Sequence, residues 1–283
     1  MTIISGLGIE VALHGLVSVC FCLATLQTKA DRKMYIISTL LIVCNISGII
    51  YILMELYLEY VVGSSSCSVA GFIDNLSSHL LLISFEAIIL YKCYFITNQN
   101  KYALFCIYLV SLHRIVWMAA DMFRSYALWD DSQYTCVYFQ DSTTGSGYNV
   151  ADIICDAFAT FTALTVACLR MNLNSKYIQT MIIRTIGRTV LVIAASCWVL
   201  AITSSGSENT WYYIAWNTQT YVLLRMANLD VLLNSAQRQT SSKARWWDTI
   251  NWLELRQLFI KFDGLSNSID IQTPTQVKDM TDV

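Results

Sequence analysis

The residues best placed to do chemistry are charged groups set inside long apolar runs. Glu86 lies near the midpoint of FIDNLSSHLLLISFEAIILYKCYFI, residues 72–96, and Arg114 lies within the run 102–124. Counted from the ends of those runs that lie toward each other, both are ~15–18 Å deep at the rise of an α-helix. Buried charges are costly unless they meet a partner or water, so the two are expected to pair. Such a pair either fixes helix packing or marks a transport path. Asp152 and Asp156 are four residues apart and share one helical face. Asp156 is placed ~12 Å below its helix end and Trp198 ~9 Å below its own. An aromatic face beside a carboxylate suits a cation; the competing reading is that Asp156 bonds to a neighbouring helix and Trp198 is core packing. With Asp121, these residues form the candidate ligand-binding set: Asp121, Asp152, Asp156 and Trp198.

Other site chemistries lack support. There is no Gly-rich phosphate loop, no metal-ligand spacing and no nucleophile elbow. No lysine occurs between Asn209 and Gln237, so a retinal Schiff base on a seventh helix is excluded. No cofactor, no metal, no nucleic-acid partner and no enzymatic activity are expected.

The elements that must position these residues follow from composition. The 283 residues are 55% hydrophobic and 13% charged, with Pro274 the single proline. A soluble domain averages about 25% charged. Seven apolar stretches are long enough to span a bilayer: about 3–26, 34–61, 72–96, 102–124, 148–170, 186–204 and 210–233. The fold class is all-α, a seven-transmembrane helix bundle over residues 1–235. The basic segment 176–188 is either an extension of the sixth helix or a loop on the inner leaflet. Residues 236–283 form a tail, with an amphipathic interfacial helix at 246–262 and a polar, disordered end.

Charge sets the orientation. Eleven Lys and Arg residues fall in one set of connections and Arg124 alone in the other. The positive-inside rule then puts the N-terminus outside and the C-terminus inside. Of ten cysteines, Cys67 and Cys136 fall in the outer loops, where oxidising conditions favour a disulfide between them. Asp130, Asp131, Glu208 and the carboxylates of the outer helix ends make an acidic mouth that would attract a cation.

This layout resembles a seven-transmembrane receptor of the G-protein-coupled type. The resemblance covers about residues 1–262, as architecture: the outside N-terminus, the Cys67/Cys136 placement, the basic inner loops and the helix after span seven. Cys197-Trp198 resembles the start of the family's Cys-Trp-x-Pro motif, with Leu200 at the proline position, and Trp117 resembles its helix-four tryptophan. Helix three ends in Tyr94-Phe95-Ile96-Thr97 without the acidic-Arg-aromatic triplet, and helix seven has Asn228-Leu229-Asp230 without Asn-Pro-x-x-Tyr. The resemblance implies a plasma-membrane receptor that senses a small extracellular ligand and signals to a cytosolic partner. The competing readings are a transporter or channel for a small cation or proton, and a structural membrane protein.

Overall fold

The computed structural model describes residues 2–25, 32–58, 60–97, 99–132, 134–170, 176–204 and 210–241. These form seven α-helices and one hairpin: α1 Thr2–Thr25, α2 Arg32–Leu58, α3 Ser64–Ile96, α4 Lys101–Arg124, β1 Tyr126–Asp130, β2 Thr135–Phe139, α5 Ser142–Arg170, α6 Lys176–Ser204 and α7 Thr210–Ser241. The chain divides into two units, 1–234 and 235–283. Of the second unit, only the end of α7 is described, and the expected helix at 246–262 lies outside the described residues.

Among the described residues, six helices are long and apolar enough to cross a membrane, α1 to α6. The seventh expected span is helical, but α7 is not among those six. Its polar side chains explain this. Asn217, Gln219, Thr220 and Asn228 are all buried, so its polarity is turned into the bundle. The outward face of α4 is apolar. Phe105, Leu109, Leu112 and Val116 recur along one exposed side of α4, as a lipid-facing surface requires.

The centre of the bundle is α3, which packs against α2, α4, α5 and both strands. It carries buried serines without orphaning them. Ser77 Oγ donates to the Asp74 carbonyl at 2.9 Å and Ser84 Oγ to the Leu81 carbonyl at 2.9 Å, the local bond open to a helical hydroxyl. The apolar core runs along α3 through Leu81, Phe85 and Ile88 to Leu41 and Ile52 of α2 and Leu224 of α7.

Helix ends differ from the expectation in two places. α3 starts at Ser64 rather than near residue 72, which puts Cys67 on its first turn. Gly63 makes that start, with φ +93° where a side chain would be strained. α5 starts at Ser142 rather than near 148, so Gly145-Ser146-Gly147 lies within the helix. Gly147 is there for close approach: a Cβ on it would overlap the Trp117 ring of α4. The segment 176–188 continues into α6 as helix.

The hairpin was not expected. Its antiparallel register pairs Tyr126 with Phe139 and Trp129 with Cys136. Asp130 Oδ1 accepts from the Ser132 amide at 2.8 Å and shapes the turn. Cys136 is bonded to Cys67, which pins β2 to the start of α3. Gly71, one turn further along α3, lets Ala127 of β1 approach.

Candidate functional site

Three helices turn charged stripes toward each other. α4 buries only two residues, Arg114 and Asp121, seven apart and so on one face. α3 presents His79 and Glu86 at the same spacing, and α5 presents Tyr148, Asp152 and Asp156 at successive turns; all five are buried. Asp121 accepts from His79 Nε2 at 3.0 Å, from Ser125 Oγ at 2.9 Å and from Thr144 Oγ1 at 2.6 Å. The other face of His79 meets Arg114, with Nδ1 3.5 Å from Nη2. A guanidinium can only donate, so Nδ1 accepts and the proton sits on Nε2. His79 is therefore a neutral relay between Asp121 and Arg114. Arg114 is ion-paired with Asp152 and lies 3.6 Å from Glu86. Its guanidinium sits over the Tyr148 ring, 5.1 Å from the centroid, and His79 meets the same ring edge-on at 4.9 Å.

Tyr148 also walls a cavity of about 340 Å³ at the disulfide end of the bundle. α2 supplies Tyr51 and Glu55, and α3 supplies Asp74, Asn75 and Ser78. Residues of β2 form another side, and Tyr213 and Trp216 of α7 complete it. Such a volume lies in the range of small-molecule sites. Among the described residues, the lining holds two carboxylates and no lysine, arginine or histidine. Glu55 accepts from Asn217 Nδ2 at 2.8 Å, and Asn217 accepts from Ser5 at 3.1 Å. Asp74 is only 8% exposed, and its Oδ1 has no hydrogen-bond partner. Tyr148 and Trp216 stand 6.0 Å apart as aromatic walls.

None of the four candidate ligand residues lines this cavity. Asp121 is saturated by three donors, and Asp152 faces Arg114. Asp156 is buried one turn below Asp152, with both oxygens lacking a hydrogen-bond partner and Arg188 of α6 as its opposing charge. Trp198 is 38% exposed on α6. His113, beside Arg114, is exposed and accepts from Trp117 Nε1 at 3.1 Å.

Asp74 and Tyr148 were missed by sequence reasoning. Asp74 follows Cys67 by seven residues, two turns on one face of α3. Starting that helix at residue 72 put Asp74 at its rim instead of inside. Among the described residues, no group of three or more His, Cys, Asp or Glu is placed to hold a metal ion.

With six helices able to cross a membrane, and Glu86, Arg114, Asp152 and Asp156 buried between them, the chain has the make-up of a multi-pass integral membrane protein. No protein-family model matches the chain, and no curated protein matches it significantly.

Proposed function

We propose that this protein is a divergent seven-transmembrane receptor that binds a small organic ammonium ion in the cavity beneath the hairpin and signals to a cytosolic partner. The observation that carries the reading is Asp74: a buried carboxylate with an oxygen left unpaired, facing a cavity whose described lining holds a second carboxylate and no basic group. An uncompensated carboxylate in such a place is costly. An ammonium ion offsets that cost by pairing with the carboxylate, and the rings of Tyr148 and Trp216 favour the same charge. The hairpin, tied down by the Cys67–Cys136 bond, roofs the site from the side where disulfides persist. The receptor so proposed lies in the plasma membrane, with its N-terminus outside and its C-terminus inside.

The test uses probes that differ in charge alone. Benzylamine is protonated at neutral pH, and benzyl alcohol is its neutral counterpart. A ligand that binds only the native state raises the melting temperature. A panel of small primary amines that includes benzylamine should stabilise the purified protein, with members at least tenfold tighter than their alcohols. Asp74→Asn should remove the preference and leave the ligand-free melting temperature nearly unchanged. Equal binding of amines and alcohols would sink the reading.

The buried carboxylates Glu86, Asp152 and Asp156 favour a second reading, a transporter or channel for a small cation or proton, because intramembrane carboxylates often mark such paths. Flux of amine or proton into liposomes holding the protein separates the two.

A further inference from the structure

The charges around Arg114 do not balance. Glu86 on α3 and Asp152 on α5 both face this one guanidinium. Both carboxyls are over nine-tenths buried. Apart from Arg114 and each other, Asp152 and Glu86 Oε1 meet no hydrogen-bond donor among the described residues. The two groups also adjoin one another. Two ionised carboxylates can only accept hydrogen bonds, and neighbouring carboxylates resist ionising together.

Among the described residues, the surrounding groups do not supply the missing positive charge. On α3, His79 is neutral by its contacts. On α4, Asp121 is negative and held by its own three donors. On α5, Asp156 adds negative charge, Cys155 is a buried thiol and Tyr148 presents its ring face. On α6, Arg188 opposes Asp156. One positive charge is still wanting at the Glu86–Asp152 pair.

We propose that Glu86 and Asp152 share a single bound proton, which makes the buried cluster around Arg114 a proton-binding site. The proton turns one acceptor into a donor, so one carboxyl hydrogen-bonds the other. It leaves one net negative charge against the one positive charge of Arg114. This site is separate from the cavity ligand and does not depend on it. A dehydrated metal ion is a poorer fit to the same place, since the described residues offer no cluster of metal-binding side chains there.

The experiment is infrared spectroscopy of the purified protein at neutral pH, with no ligand added. An un-ionised carboxylic acid has a carbonyl stretch distinct from that of a carboxylate. The wild-type protein should show that band, with the deuterium shift of a protonated acid. Glu86→Gln or Asp152→Asn should remove a one-carboxyl share of it, while Asp156→Asn should not. Identical spectra for the wild type, Glu86→Gln and Asp152→Asn would overturn the proposal. Where the pair variants do not fold, the triple variant Glu55→Gln, Asp74→Asn, Asp156→Asn decides. A band that persists there belongs to the pair, and its absence rules the shared proton out.

Discussion

Asn45 of α2 and Asn228 of α7 hold each other by both amides. Asn228 Nδ2 donates to Asn45 Oδ1 at 2.7 Å, and Asn45 Nδ2 donates to Asn228 Oδ1 at 3.0 Å. Each amide also donates to its own helix, at the carbonyls of Leu41 and Leu224. Gly15 of α1 covers the pair, and a Cβ there would overlap the Asn228 amide. Removing one partner leaves a buried amide unsatisfied, which costs about 1–3 kcal/mol. Asn45→Ala and Asn228→Ala should each lower thermal stability, and the double variant should lose less than their sum. Gly15→Val should destabilise at least as much as either. Additive losses in melting experiments would argue that the amides act separately.

The Cys67–Cys136 bond closes a sequence separation of 69 residues. On a chain-entropy estimate, a closure of that length stabilises by about 4 kcal/mol. Cys136→Ser should lower the melting temperature, and reductant should do so for the wild type but not the variant. The same variant should weaken amine binding, since β2 walls the cavity. Unchanged affinity would mean that the hairpin keeps its place without the bond.

Asp121 is a structural carboxylate. Three donors converge on it, from α3, from the end of α4 and from α5. Asp121→Ala takes the acceptor from His79 and Ser125 and leaves Thr144 only the Asp141 carbonyl, and removing one partner from a buried charged network costs about 3–5 kcal/mol. Folding should suffer while the amine preference of the surviving protein stays intact. Loss of binding with full stability would return Asp121 to the ligand site.

A positive ligand against Tyr148 and a proton between Glu86 and Asp152 oppose one another by charge. Amine affinity should therefore rise as pH is raised from neutral, because the cluster then begins to lose its proton. Glu86→Gln cannot take up that proton, so its affinity should depend less on pH. Titration calorimetry at several pH values measures both slopes, and equal slopes would uncouple the two sites.

The topology has its own check. A tag at each terminus, probed in intact cells, should be accessible at the N-terminus and protected at the C-terminus. An accessible C-terminal tag would reverse the orientation.

The apolar runs were readable because a bilayer admits few alternatives to helix. Their ends were less so. Ser64-Ser65-Ser66 reads as a polar break, yet Gly63 turns the chain and the serines open α3. The hairpin hides in a stretch read as loop, although Tyr126–Asp130 and Thr135–Phe139 are rich in strand-forming residues. Depth arithmetic placed Glu86 beside Arg114, because rise per residue is fixed. The same arithmetic says nothing about rotation around the helix axis. Hence Asp152 was assigned to the ligand, where it instead meets Arg114, and Trp198 was turned inward when it lies partly exposed.

On the seven-span topology proposed above, α7 bears a burden that the other helices escape. Asn217, Gln219, Thr220 and Asn228 would weigh against its insertion if it met lipid alone. Three of the four have partners on helices made before it: Asn217 on α1 and α2, Gln219 on Ser196 of α6, and Asn228 on α2. It also leaves the ribosome after α1 to α6. α7 therefore enters the bilayer as a client of helices already assembled. Lesions in α1 or α2 would then surface far along the chain, as molecules whose C-terminal segment never integrates and is cleared during biogenesis.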